Sequence, residues 1–470
     1  MQRVADSCVN WISNKFKEKE NFYIFCGNGN NGGGGFALAK IMYHNGFDIT
    51  VFLNENEHFS KDAASNLKKI KPISGIDIFD FNDAATFNFK ENAVIIDAVF
   101  GTGLNRRTNK KEVDLITFLN GVKLPKVSID MPSGLLADQM ITDQTVIFKA
   151  DETLSFQFWK KTFLHPETGI YCGKVHILDI SLSEEFIQDE ITSDYVIDDQ
   201  LIHRIYKTRS EFSHKGNFGK TTIIAGSFGR VGAAVLAVKA ALKSGSGLTF
   251  VHAPKCGYEI LQTSCPEAIY LYGGENHHDR FQIDHDTVVG IGPSLGINTD
   301  TESAFMDFLK SCDQPMVLDA DALNIISRHT QFLARIPENS IITPHPKEFE
   351  RLFGITENSF DRVELAREKA AELGIYIVLK DHHTQIITPE KDVFYNITGN
   401  SGMAKGGSGD ALLGIITSLL AQNYSSKDAA IFGVWLHGKA GDLAAEKFSK
   451  EAMLPTDLIN ELGMVFKSLA

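Results

Sequence analysis

The sequence has no apolar run long enough to cross a bilayer. Its longest candidate, 411–421, is broken by Gly414, Thr417 and Ser418, whereas a spanning helix needs about 20 predominantly apolar residues. Residues 1–20 hold no apolar segment of the secretory type. Cysteine is scarce: six residues, at 8, 26, 172, 256, 265 and 312. No pair forms C-x-x-C and no Cys/His set has zinc-ligand spacing, so these read as reduced, mostly buried thiols of a cytoplasmic protein. Basic charge is in deficit, with 46 Lys and Arg against 59 Asp and Glu and a net charge of −13. No segregated basic patch stands out. Nucleic acid and membranes are therefore excluded as expected partners, while a nucleotide or small cation is not. Short-period repeats and low-complexity tracts are also missing. With 43% apolar and 22% charged residues, a disordered or fibrous chain is excluded. At about 100–200 residues per domain, two to four globular domains are expected.

What is present is an alternation of short buried strands and helices. Strands are predicted over 22–26, 49–53, 94–96, 127–129 and 175–180, with a helix over 36–44. The second half repeats the style, with strands at 221–225, 248–252, 288–291, 316–318, 341–343 and 375–379 and a helix at 232–243. Each strand ends at a residue type that open α/β sheets use around ligands. The pattern predicts parallel sheets covered on both faces. An acidic stretch over 183–200 with little periodicity reads as a linker, placed at 183–197 between domains 1–182 and 198–470.

The first glycine-rich block, C-G-N-G-N-N-G-G-G-G-F at 26–36, follows a strand and opens a helix. Gly27, Gly29 and Gly32 satisfy G-x-G-x-x-G, with Glu55 as a possible ribose acid. Taken alone, the block fits an NAD-dependent oxidoreductase as well as it fits a tight turn without a ligand. Further on, strand ends supply Asp97 in D-A-V-F-G-T-G-L-N-R-R and Asp130 in D-M-P-S-G. Asn31, Asp97 and Ser133 are oxygen donors with one charge among them, a set that suits a weakly hydrated monovalent cation better than zinc. Gly101, Thr102 and Gly103, backed by Arg106 and Arg107, form a second anion-accepting loop. Asp97 and Asp130 can equally serve as turn residues after strands.

The second block, G-N-S-G-M-A-K-G-G-S-G-D-A-L-L-G at 399–414, feeds directly into a helix. Unpaired amides of 406–409 would accept an anion there. Asp410 beside a phosphate is repelled by it, so its role is either a base that activates a hydroxyl or a helix cap. Walker A is excluded, because G-K-T at 219–221 has His214 where the first glycine is required. No G-x-S-x-G, H-E-x-x-H or kinase H-R-D set occurs. The pair His277 and His278 belongs to no motif and reads as a solvated loop.

Taken in order, these motifs identify a family. Residues 1–182 resemble the epimerase domain of the bifunctional NAD(P)H-hydrate repair enzymes, through the N-N-G-G-x-G, D-A-x-F-G-T-G-L and D-x-P-S-G segments. Residues 198–470 resemble their ribokinase-like dehydratase domain. That second resemblance rests on H-K-G-N-F-G at 214–219, A-G-S-F-G-R-V-G-A-A at 225–234, G-I-G-P-S-L-G at 290–296 and D-A-D-A-L-N at 319–324. T-P-H-P-K-E-F-E-R-L at 343–352, K-D-H-H-T at 380–384 and G-S-G-D at 407–410 complete it.

The resemblance implies a Rossmann-like three-layer α/β/α domain followed by a ribokinase-like α/β domain. It implies interconversion of the R and S epimers of hydrated NADH or NADPH (NADHX and NADPHX). ADP-dependent dehydration of the S epimer would follow, releasing AMP and phosphate. It implies K⁺ held by Asn31, Asp97 and Ser133, and hydrate contacts at Asn30, Asn31, Gly32, Gly33, Gly34, Asp130 and Gly101, Thr102, Gly103, Leu104, Asn105, Arg106 and Arg107. Asp130 would be the acid/base of the first domain and Asp410 the base of the second. Ala233, Gly292, His345 and Asp410 would contact hydrate in the second domain. Lys380, Asp381, His382, His383, Thr384 and Gly409 would contact ADP, accompanied by Mg²⁺. The family's habit implies a homo-oligomer. The rival readings are an NAD-dependent oxidoreductase, which lacks a recognisable catalytic His/Lys or Tyr-x-x-x-Lys here, and a dehydratase with a non-catalytic first domain. The chain departs from the family's pattern at four points. Gly34 stands where Asp is usual, removing a cap from the helix expected at 36–44 and predicting a weakened epimerase. Asp381 and Ser294 each stand where Gly is usual, and Asp381 places a negative charge near the nucleotide. An N-terminal helical arm is expected to be missing.

Overall fold

The computed structural model describes residues 1–17, 21–54, 58–141, 145–283 and 286–469. The chain divides into two compact units, Met1–Ile191 with Asn358–Phe360, and Thr192–Glu357 with Asp361–Ala470. No helix among the described residues is long and apolar enough to cross a membrane.

The first unit is built on seven parallel strands: β1 (Asn21–Cys26), β2 (Asp48–Leu53), β3 (Ile76–Asp80), β4 (Ala93–Ala98), β5 (Lys126–Ile129), β6 (Glu152–Phe156) and β7 (Lys174–Leu178). Their order is β3-β2-β1-β4-β5-β6-β7. The central strands are apolar on both faces, as a sheet covered on both sides requires. One face packs the helices Gln2–Lys15, Asn30–His44 and Lys61–Ile70, and the other packs Lys110–Gly121 with a phenylalanine-rich cluster around Phe25 and Phe52. This is the expected three-layer arrangement. The strand order reverses between β1 and β4, which makes a crevice at their carboxyl ends, the place where open α/β sheets bind ligands.

The second unit contains β8 (Asp194–Ile197), β9 (Lys220–Ile224), β10 (Leu248–Ala253), β11 (Ile269–Tyr272), β12 (Val288–Ile291), β13 (Met316–Leu318), β14 (Ile341–Ile342), β15 (Tyr376–Leu379), β16 (Gln385–Ile387) and β17 (Val393–Asn396). The order is β11-β10-β9-β12-β13-β14-β15-β16-β17-β8. β11 through β15 run parallel, and β16 is antiparallel to both of its neighbours. The reversal between β9 and β12 makes a second crevice. Helices Val231–Lys243, Ser408–Ala421, Ser426–Phe448 and Pro455–Leu469 contribute the main apolar core.

Three local expectations differ from what forms. The helix expected at 36–44 begins at Asn30, with Gly29 as its cap residue. Four consecutive glycines oppose helix by up to about 1 kcal/mol each, yet packing demands Gly32 and Gly35. A Cβ on Gly32 would lie 1.7 Å from the Gly27 carbonyl oxygen, and one on Gly35 would lie 2.6 Å from Cys26 Sγ. Position 34 is therefore inside the helix, and an aspartate there could not cap it. The stretch 183–197 holds a short helix, Glu184–Asp189, and then β8, which pairs with β17. Arg367 anchors β8 through Asp194 at 2.6 Å, so the second sheet takes the end of this acidic segment. His278 is not solvated. It is fully buried against the rings of His252 and Phe281, its Nε2 is 3.0 Å from the Gly226 carbonyl, and burial pushes its pKa down to about 3. The ring's apolar surface, hidden under residues 273–281, outweighs the polarity that the sequence advertises.

Candidate functional sites

In the first unit a cavity of about 850 Å³ opens at the β1/β4 crevice. Asn30, Asn31, Gly34, Gly101, Thr102, Gly103, Leu104, Asn105, Arg106 and Asp130 line it. Gly32 and Gly33 do not line it; they give the helix its close approach to neighbouring backbone. Asp130 follows β5 with φ of 69°, a left-handed conformation that only a few non-glycine residues adopt. Its Oδ2 accepts the Thr102 N–H at 2.8 Å, so the carboxylate and the 101–103 loop are held together. Facing its Oδ1 at 3.8 Å is the ammonium of Lys160, a residue the motif reading missed. Lys160 Nζ also donates to Ser155 Oγ and to the carbonyls of Phe156 and Phe158, and burial lowers its pKa. Arg106 is bound at both nitrogens by Glu112, at 2.9 and 2.7 Å, so it carries little free charge towards a ligand. Glu55 lies outside the described residues.

Asp97 sits beneath this cavity, 1% exposed. Its carboxylate accepts from Ser133 Oγ at 2.6 Å, Ser133 N–H at 2.8 Å, Val99 N–H at 3.1 Å and Ser128 Oγ at 3.2 Å. Burial pushes its pKa up to about 6 against the lowering effect of these donors. No cationic side chain bonds it among the described residues. Asn31 donates to the carbonyls of Phe100 and Ile129 at 2.8 and 3.0 Å, and Ser133 Oγ accepts from Phe100 N–H at 2.9 Å. Asn31, Asp97 and Ser133, far apart in sequence, thus meet around the first residues after β4 and β5. The region offers several oxygens and one buried, uncompensated negative charge. Among the described residues no group of three or more His, Cys, Asp or Glu side chains converges as a metal site.

In the second unit the helix Ser408–Ala421 starts after Gly407, whose φ is 101°. No side chain caps it, so the capping role for Asp410 does not hold; the Ser408 amide donates to the Lys405 carbonyl at 3.3 Å, and the amides of Gly409 and Asp410 are open among the described residues. Asp410 is the third residue of the helix, and its carboxyl has no hydrogen-bond partner among the described residues. Burial, with Asp319 adding repulsion, pushes its pKa up to about 6, although Lys380 opposes this. Lys380 donates to Asp319 Oδ1 at 2.7 Å and lies 3.9 Å from Glu348 Oε2. A Cβ on Gly409 would meet Asp319 Oδ2 at 3.4 Å and Lys380 Nζ at 3.5 Å, so these residues share one spot. His345 caps the next helix, Pro346–Phe353, its Nδ1 accepting the amides of Lys347 and Glu348. Gly292, with φ of 141°, lets the backbone reach within 1.8 Å of where its Cβ would meet the Asp319 carbonyl oxygen. Ser294 keeps a φ of 53°, which explains why glycine is usual there.

Of the remaining predicted contacts, Ala233 lies in the first turn of Val231–Lys243. His382 and His383 bring their Nδ1 atoms within 3.2 Å of each other. Thr384 accepts the Asn396 amide through its carbonyl. Asp381 faces Arg362 at 3.9 Å, so its charge is compensated within the fold rather than left towards a nucleotide. Motif reading also missed the support beneath the loop. His437 Nε2 lies 3.0 Å from the Ser408 carbonyl, and Asp442 accepts Gly399 N–H and Asn400 Nδ2, each at 2.9 Å. Both project from the helix Ser426–Phe448, and their signal in the sequence, polar residues in an apolar helix, is weak.

A model for NAD(P)H-hydrate dehydratase matches residues 221–463, and one for the YjeF-related protein N-terminus matches 1–162. The bifunctional NAD(P)H-hydrate repair enzyme Nnr of Coxiella burnetii is 32% identical over 468 residues, covering 99% of this chain and 94% of the relative. The chain belongs to the bifunctional NAD(P)H-hydrate repair enzymes. Its relative in Escherichia coli is 32% identical over 475 residues, covering 99% of this chain and 88% of that one. Among solved structures, the ADP/ATP-dependent NAD(P)H-hydrate dehydratase from Bacillus subtilis, co-crystallised with ATP and Mg²⁺, superposes with a TM-score of 0.53 at 31% identity. It covers 59% of this chain and 99% of its own. Membership of the repair family removes the oxidoreductase reading of the first glycine block.

Proposed function

We propose that the first unit interconverts the epimers of hydrated NADH and NADPH, and that the second dehydrates the S epimer at the expense of ADP. The observation that carries the second half is Asp410: an unpaired carboxyl beside open helix amides and Lys380. A hydroxyl of the hydrate placed between them would lose its proton to Asp410 while its oxygen attacks the β-phosphorus of ADP and AMP departs. Open amides at 409–410 and the Lys380 ammonium stabilise the charge on the transferring group. Phosphate then leaves together with a ring proton, which restores the dihydropyridine. A carboxyl with pKa near 6 is ionised at neutral pH yet basic enough for this task. Mg²⁺ would fit Asp319, whose Oδ2 offers a carboxylate oxygen beside the anion site while its Oδ1 accepts from Lys380; bound there it would neutralise phosphate charge.

In the first unit Asp130 is the acid/base. It is fixed by the Thr102 amide and faced by the Lys160 ammonium, so it is held where a hydroxyl on the hydrated ring can be protonated and expelled, then returned from the other face. The Gly101 and Gly103 amides, on either side of the Thr102 amide that Asp130 takes, suit the pyrophosphate. Asn31, Asp97 and Ser133 would hold K⁺, which the buried uncompensated Asp97 fits; bound there it would fix the loops that carry Asn31 and Asp130. The test is recovery of NADH or NADPH absorbance from mixed epimers with ADP and Mg²⁺. Two phases reaching completion are expected. Recovery that halts when the S epimer is spent identifies a first unit that binds without epimerising, and no recovery refutes the proposal.

A further inference from the structure

Two cavities of the first unit share a wall. Thr102, Leu104, Asn105 and Arg106 line both the 850 Å³ cavity that contains Asp130 and a second one of about 600 Å³. The second is closed on its far side by the turn after β5, where Leu136, Ala137, Met140 and Ile141 supply apolar surface. A dinucleotide hydrate has two such halves joined by a pyrophosphate. If its reacting ring lies beside Asp130 and its pyrophosphate against the Gly101 and Gly103 amides, the adenosine half falls across the wall. The second cavity offers that half an apolar chamber of sufficient volume.

The charge at this chamber is specific. Arg106 is consumed by Glu112 and lies over the Phe100 ring at 5.5 Å. Asp138 lines the chamber, but its field is met by Lys160. Arg107 also lines it, is exposed, and bonds no side chain or carbonyl among the described residues. It begins a local run, R-R-T-N-K-K at 106–111, in which four of six residues are cationic although the chain carries −13 overall. Composition hides this run, of which the sequence reading singled out Arg106 and Arg107 but not Lys110 and Lys111. A planar guanidinium matches two phosphate oxygens at once, and a ribose hydroxyl offers it nothing comparable. We propose that this chamber takes the adenosine half and that Arg107 receives the 2′-phosphate of NADPHX, so that the first unit favours NADPHX over NADHX. The inference rests on the epimerase reading of that unit.

The test uses the full chain without ADP, so that only epimer interconversion proceeds, followed by chromatographic separation of the epimers. The KM for NADPHX is expected to be about tenfold or more below that for NADHX, the scale of one charge-assisted bidentate contact. Arg107→Ala is expected to bring the two KM values together, and Arg107→Lys to keep part of the difference. Equal KM values in the parent chain, or an Arg107→Ala effect identical for both hydrates, overturns the inference while leaving the epimerase reading intact. If neither hydrate is interconverted, that reading fails, and calorimetry decides the inference separately. With ADP saturating the second unit, 2′-phospho-ADP-ribose binding more tightly than ADP-ribose, with the difference lost in Arg107→Ala, supports the chamber. Equal binding rejects it.

Discussion

Replacing Asp410 by Asn removes one proton acceptor and changes little else, because the carboxyl bonds nothing among the described residues and the helix behind it is capped by Gly407. Loss of a general base typically slows a reaction about 10²–10⁴-fold. The environment of Asp410 places the parent enzyme in that regime. Burial and Asp319 raise its pKa to about 6, Asp321 adds to the rise, and Lys380 opposes it. The base must be ionised to work, so dehydration by the parent chain should fall as pH drops through about 6, close to tenfold per further pH unit. The Asp410→Asn chain should show the residual rate without that acid limb. Removing a negative charge beside the nucleotide should leave ADP binding intact or tighter. The assay is initial NADH recovery from the S epimer at saturating ADP and Mg²⁺ between pH 5 and 8.5, with ADP affinity measured by calorimetry. Epimer interconversion without ADP reports that the chain is folded. Turnover within tenfold of the parent, or an acid limb that persists in the variant, would falsify the base assignment.

Three further outcomes are expected. Gly292→Ala should lower stability by at least about 2 kcal/mol in urea denaturation, because its Cβ would lie 1.8 Å from the Asp319 oxygen at a φ of 141°; an unchanged midpoint would reject the close approach. K⁺ should raise the melting temperature of the parent chain above its value in the same concentration of a large organic cation, and Asp97→Asn should abolish that difference, because it removes the buried charge; a K⁺ effect that survives the substitution places the ion elsewhere. Gly34→Asp should fold, since a Cβ at 34 meets nothing within 4 Å, and should speed epimer interconversion about tenfold by adding a positioning group to the cavity wall; a slower rate would show that the cavity is adapted to glycine.

Much of the architecture was legible because buried parallel strands announce themselves as apolar runs. The run 93–98 is fully buried and is β4. β14, at two residues, falls within the strand expected at 341–343. Three edge strands were not legible: β3 and β11 are only partly buried, and β8 lies in an acidic stretch that composition reads as linker, whereas the edge strand β7 was expected at 175–180; the buried strands β6, β16 and β17 also went unread. The helix start at Asn30 was missed because four glycines argue against helix locally, while the demand for close approach to Gly27 and Cys26 is tertiary. Within the sites, motif spacing found Asp97, Asp130 and Asp410. It could not find Lys160, Arg362 or Asp442, because each acts by reaching across the fold to a motif residue, and the sequence carries no distance between them.

The two carboxyls that matter most, Asp97 and Asp410, are both raised to about 6, yet their surroundings assign them different chemistry. Asp97 is sealed in and accepts from four neutral donors. What it lacks is a compensating charge, which K⁺, bound as proposed, would supply without moving a proton. Asp410 has the opposite deficit: a cation, Lys380, is already within its field, but no donor bonds its oxygens. A group in that condition is ready to accept a hydrogen from whatever enters the cavity. Displaced acidity alone therefore does not distinguish a cation ligand from a base. The distinction lies in which partner is missing, a charge in the first unit and a proton donor in the second, and that is visible only once the neighbours are in place.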